Sequence, residues 1–139
     1  MSAEVFLDTN VLIYAIEVDG PAPAKSAAAL VLARRTDVCL STQVLGEFYR
    51  AATSLRRAVP LTHEEATAWI QIWKRHEVHA ITIPHVDLAL ELRARFQIQY
   101  FDALILSAAR LAGCATVFSE DLSTGQDYGG VIVKNPFAE

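Results

Sequence analysis

The sequence predicts one α/β domain, with a mostly parallel sheet between helices, and three observations carry that reading. Short, nearly continuous apolar runs recur along the chain, at Val5-Phe6-Leu7, Val38-Cys39-Leu40 and Ala115-Thr116-Val117-Phe118, as expected of strands buried on both faces. Capped, helix-periodic stretches separate them, and strand–helix alternation implies parallel strands joined by crossover helices. Finally, 139 residues that are 53% hydrophobic and 20% charged are enough for one filled core, with no repeat, linker or low-complexity tract. A chain of this length buries roughly two-thirds of its unfolded surface.

The first strand is read over Ala3 to Leu7, and it stops at Asp8-Thr9-Asn10, where a helical pattern starts at once with Val11, Leu12 and Ile13. Asp19-Gly20-Pro21-Ala22-Pro23 is a turn. The following alanine-rich helix, Ala24 to Arg34, is expected to bury Ala27, Leu30 and Val31. After the second strand, Ser41 and Thr42 are suited to cap a helix reaching about Arg57, with a core stripe of Val44, Phe48, Ala51 and Leu55. Thr62 with Glu65 makes a capping box for a helix that carries Trp69, Ile70, Ile72 and Trp73.

His79 to Ile83 is the expected third strand, and Pro84 opens a helix whose apolar face is Leu88, Leu92 and Phe96. Tyr100-Phe101-Asp102 opens the next helix, which ends near Gly113. The fourth strand is Ala115 to Phe118, and Val131-Ile132-Val133 is a last short strand after the loop of residues 119–130.

Composition narrows the partners. A net charge of −4 and a pI near 5.5 leave no global electrostatic case for nucleic-acid binding, so a polyanion would need a local basic patch or bridging cations. Cys39 and Cys114 are expected as buried free thiols, since their spacing fits neither a zinc motif nor a disulfide framework. Neither a signal peptide nor a membrane span is predicted, and a reduced cytoplasmic protein is the expectation.

Topology gathers four acids. In a strand–helix–strand unit the helix leaves from the carboxyl edge of the sheet. Asp8 ends the first strand, Asp121 follows the fourth, Glu47 lies early in the helix after the second, and Asp102 sits in the first turn of its helix. All four belong to one side of the molecule, where ligands bind in open α/β folds. Singly, each has an ordinary explanation: Asp8 as a helix cap, Asp102 as a charge on a helix dipole, Asp121 as a turn residue. Glu47 borders an apolar stripe and needs a partner. If the four meet, mutual repulsion calls for a cation, and oxygen-only donors suit Mg²⁺ or Mn²⁺.

The chain resembles the PIN-domain nucleases, and among them the VapC-type toxins of bacterial toxin–antitoxin pairs. The matching pieces are residues 5–10 (VFLDTN), 43–48 (QVLGEF), 100–105 (YFDALI), 118–122 (FSEDL) and 132–137 (IVKNPF), in the family order. This resemblance implies a three-layer α/β/α sandwich with a five-stranded sheet, spanning 1–139 as one domain. It also implies an acidic catalytic site of Asp8, Glu47, Asp102 and Asp121. Asp8 and Asp102 would be direct metal ligands, with Glu47 and Asp121 acting through water or on a second ion. Thr9, Asn10 and Ser119 would orient the carboxylates.

The implied reaction is metal-dependent hydrolysis of RNA phosphodiester bonds without a covalent intermediate. A cognate antitoxin and a homodimer are implied partners. Arg50, near Glu47, is the expected phosphate-binding residue, and Asp127 is an extra acid of minor expected role. His63, His76, His79 and His85 are expected on the surface or in packing. The alternatives are a catalytically weak PIN-fold domain that binds RNA or a partner, and, further off, a phosphatase or phosphotransfer domain. The latter lacks the second aspartate of an Asp-x-Asp nucleophile motif, since Asn10 stands in its place.

Overall fold

A computed structural model describes residues 3–137. Five strands form one all-parallel sheet in the order β3-β2-β1-β4-β5, namely β1 (Val5–Leu7), β2 (Val38–Ser41), β3 (Glu77–His79), β4 (Thr116–Phe118) and β5 (Ile132–Lys134). Six helices connect them: α1 (Thr9–Ala15), α2 (Pro23–Ala33), α3 (Thr42–Ala52), α4 (His63–Trp73), α5 (Ile83–Phe96) and α6 (Tyr100–Leu111). Helix α1 packs on both α2 and α3, and α3 on α4, while α5 and α6 pair as a hairpin, which gives the α/β/α layering. No helix among the described residues is long and apolar enough to cross a membrane.

Central strand β1 is wholly buried, and its neighbours come from distant parts of the chain: Val5 pairs with Val38 on one side and Thr116 on the other. Connections run outward from β1 to β2 and β3 on one side and to β4 and β5 on the other. The carboxyl ends of β1 and β4 therefore flank a switch point, the place where a crevice opens in such sheets.

Three expectations are corrected. Helix α3 ends at Ala52, not near Arg57, because Thr53 and Ser54 turn their hydroxyls on the backbone. Thr53 Oγ1 donates to the Tyr49 carbonyl at 2.8 Å, and Ser54 Oγ accepts from the Arg56 amide at 3.2 Å. Leu55 consequently leaves the stripe and is 92% exposed, while Val44, Phe48 and Ala52 are buried. Strand β3 is Glu77–His79, not His79–Ile83. Its partner β2 ends at Ser41, opposite His79, because Ser41 caps α3. The amides beyond are taken elsewhere: Ile81 N–H by the Thr42 hydroxyl and Thr82 N–H by His85 Nδ1 at the start of α5.

Helix α2 presents a different face from the one expected. It buries Ser26, Ala29 and Ala33, small residues that let α1 approach, and Ser26 Oγ donates to the Glu17 carbonyl at 2.8 Å. Val31 is exposed. The capping box of Thr62 and Glu65 is present as expected, as are the buried free cysteines and the left-handed Gly113 that ends α6.

Phe48 packs edge-on against Trp73 with ring centroids 5.8 Å apart, and Trp73 stacks on Trp69, which fastens α3 to α4. Since α3 carries Glu47, this aromatic contact fixes one wall of the crevice. Phe48→Ala is expected to cost about 3–5 kcal/mol in urea-induced unfolding, and Leu55→Ala to stay within about 0.5 kcal/mol of wild type.

Candidate active site

A cavity of about 800 Å³ opens at the switch point, and its lining includes Asp8, Glu47, Asp102 and Asp121. Each acid arrives on a different element. Asp8 is the N-cap of α1 and Asp102 lies in the first turn of α6. Glu47 is in the second turn of α3, and Asp121 follows β4.

Asp8 is 5% exposed and tightly held: Oδ1 accepts from the Thr9 amide and Oδ2 from the Ser119 hydroxyl, both at 2.7 Å. Burial pushes its carboxyl up from 3.8 to about 6, against the two hydrogen bonds and with help from the charges of Asp121 and Glu47. Asp102 is also raised, first by burial and then by Asp121 and Glu47. The charges of Asp121 and Glu47 thus act on both Asp8 and Asp102. The four acids do not close into a tight cluster: the trio of ligand-type side chains whose donor atoms lie mutually within 4.8 Å is elsewhere in the sheet, among the described residues.

The expected orienting residues are in place. Thr9 Oγ1 donates to Glu47 Oε1 at 2.8 Å, linking α1 to α3. Asn10 Nδ2 donates to Asp121 Oδ2 at 3.1 Å, and Ser119 Oγ accepts from the Asp121 amide at 3.1 Å. Ser119 therefore braces two acids at once. Arg50 lines the cavity wall, as does Arg56. Asp127 does not line it; its Oδ1 accepts from the Gly130 amide and shapes the turn before β5.

Several contributors escape a reading of the sequence. Gln43 Nε2 donates to Glu47 Oε2 at 3.3 Å and to the Phe101 carbonyl at 3.0 Å, joining α3 to α6 across the site. The signal available was its place four residues before Glu47 on one helix face. Tyr14, Lys25 and Glu120 form a side network, with Tyr14 O–H donating to Glu120 Oε1 at 2.9 Å and Lys25 Nζ 3.3 Å from Glu120 Oε2. Only the folded chain brings these three together.

The donor set fits a hard divalent cation. Its members are oxygen ligands, two of them are raised by burial and mutual repulsion, and the amide oxygens of Asn10 and Gln43 are buried without a hydrogen-bond donor.

A PIN-domain family model matches residues 5–123, a span that holds all four acids. The chain belongs to the PIN-domain family. Solved structures agree in fold. A toxin–antitoxin complex from Klebsiella pneumoniae holds a chain similar at 19% identity, with a TM-score of 0.68, over 96% of this chain and 98% of that one. VapBC2 of Rickettsia felis, solved on a DNA fragment from its promoter, is similar at 22% identity and TM-score 0.65, over 94% and 97%. VapC20 of Mycobacterium tuberculosis, described as a Sarcin-Ricin loop cleaving toxin, is similar at 22% identity and TM-score 0.64, over 85% and 92%. Among curated proteins there is no match.

The raised Asp8 carboxyl is expected to make the stability of this PIN domain depend on pH. A folded-state value above the ordinary one means that ionising Asp8 works against the fold. That penalty is absent below about 4, grows as pH rises, and is complete above about 6. A shift of two units corresponds to about 3 kcal/mol. Without divalent ions, the protein is expected to lose stability between pH 4 and pH 7. Asp8→Asn should flatten that profile and raise the thermal midpoint at pH 7.5, as read by circular dichroism.

Proposed function

We propose that this PIN domain is a metal-dependent endoribonuclease and the toxin of a toxin–antitoxin pair. One observation carries the reading: four carboxylates from four elements line a single cavity, with Asp8 and Asp102 held above their ordinary range. Repulsion of that kind is useful only if a cation relieves it. The toxin–antitoxin complexes among the similar structures, and the description of VapC20 as a Sarcin-Ricin loop cleaving toxin, support the assignment.

Asp8 and Asp102 would hold Mg²⁺ or Mn²⁺, with Glu47 and Asp121 contributing directly or through water. When bound, such an ion supplies a water of lowered pKa and neutralises charge developing on a phosphodiester oxygen. The protein's own groups set the geometry. Ser119 and the Thr9 amide fix the Asp8 carboxylate plane, the Thr9 hydroxyl fixes Glu47, and Asn10 fixes Asp121. Arg50 and Arg56 on the cavity wall would receive phosphates flanking the scissile bond, offsetting the acidic net charge locally. In this reading the protein works in the cytoplasm, as a homodimer, and is silenced by a cognate antitoxin that covers the acidic cavity.

Incubation of the purified protein with total RNA tests the proposal. Cleavage is expected with Mg²⁺ or Mn²⁺ and should stop with EDTA. Asp8→Asn and Asp102→Asn should abolish it, and Ser119→Ala should slow it about 10–100-fold by loosening Asp8. Cleavage that survives EDTA, or that both aspartate variants retain, would overturn the metal mechanism.

A further inference from the structure

The tightest group of metal-ligand side chains in the described structure is not the acidic cavity. It is Cys39 on β2 with Glu77 and His79 on β3, whose donor atoms all lie within 4.8 Å of one another. Pairing of the two strands builds this arrangement. Cys39 is in register with Glu77, and His79, two residues further on, projects from the same face of β3. Sequence spacing cannot show it, because the cysteine and histidine are brought together by a parallel ladder instead of a short motif.

We propose that Cys39, Glu77 and His79 form a second, transition-metal site of the Zn²⁺ class, separate from the acidic cavity. One thiolate, one imidazole and one carboxylate match the donor preference of Zn²⁺, and a water completes a tetrahedron. Metal–ligand lengths of about 2.0–2.3 Å place donor atoms about 3.4–3.6 Å apart in such a site. The His79 Nε2–Glu77 Oε2 pair stands at 3.1 Å already, so only the thiol has to close in. Hard ions have no reason to choose a sulfur ligand, which divides the two sites by chemistry: oxygen donors at the switch point, mixed donors at the sheet edge.

Access agrees with a site that fills from solvent. Cys39 is fully buried, whereas the side chains of Glu77 and His79 are 50% and 35% exposed and form the outer wall. Cys39 Sγ–H makes a weak 3.6 Å contact to the Leu40 carbonyl. On binding, the S–H bond breaks, a sulfur–metal bond forms, and the proton leaves to solvent. The ion then ties edge strand β3 to β2, whose last residue, Ser41, caps the helix that carries Glu47.

Cobalt titration of the reduced, metal-free full chain tests the site, because thiolate ligation gives a charge-transfer band that carboxylate ligation cannot. One equivalent of Co²⁺ is expected to produce that band with tetrahedral d–d absorption, and Zn²⁺ should abolish both. The band should persist in Asp8→Asn and Asp102→Asn and vanish in Cys39→Ser and His79→Gln. His79→Gln changes a partly exposed side chain, so it serves even where Cys39→Ser fails to fold. Zn²⁺ should raise the thermal midpoint of Asp8→Asn, but not that of the Asp8→Asn, His79→Gln double variant. Absence of a charge-transfer band in the wild-type protein, or its survival in His79→Gln, would overturn the proposal.

Discussion

Burial of Asp8 at the end of the central strand is the constraint on which the rest depends. A carboxylate in that position works against folding, and the chain surrounds it with fixed dipoles instead of a countercharge. The Thr9 amide and Ser119 hydroxyl hold its two oxygens, yet its proton affinity remains high because burial outweighs both bonds. Among the described residues no arginine or lysine pairs with it in the cavity; Arg50 and Arg56 stand on the wall and Lys25 is engaged with Glu120. The fold thus keeps an unrelieved negative site ready for an external cation, at a cost to stability that the large apolar core absorbs.

Much of this was legible in the residues. The apolar runs at Val5, Val38 and Val117 located three of the strands, because strands buried on both faces cannot hide among polar residues. The four acids could be assigned to one edge because parallel topology fixes where strands end. Their convergence on one cavity could not, since it depends on the order β2-β1-β4, and that order is written in which ladders pair. Two of the errors, at α3 and β3, have a common source. Leu55 and Ile83 are apolar residues with the right period, but local hydrogen bonds decided otherwise: the Thr53 and Ser54 hydroxyls stopped α3, and the Thr42 and His85 side chains took the amides of residues 81 and 82. Apolar periodicity carries no information about such competition. Gln43 could be placed beside Glu47 by its helical spacing, but its reach to the Phe101 carbonyl, 58 positions away, could not be read.

The sheet separates two chemistries by position. At the switch point, oxygen donors gather from helix starts and strand ends. At the β2–β3 edge, a buried sulfur faces a half-exposed imidazole and carboxylate across a ladder. The two regions share one mechanical element, β2, which presents Cys39 and then passes through Ser41 into α3. A change in how firmly β3 is held reaches the acidic cavity by that short covalent path.

The sheet order also bears on when the molecule becomes competent. Ser119, which secures Asp8, lies 111 positions later in the chain, and β4 is the strand that carries it to the centre. Contacts of such separation form late and slowly, after local helices and the α5–α6 hairpin are available. A nascent chain emerging from the ribosome displays Asp8 long before its brace, which follows 111 positions later. Synthesis itself therefore delays the assembled site: a growing polypeptide carries the acids one by one, without the pocket that makes them a set, until β4 and Ser119 have been made.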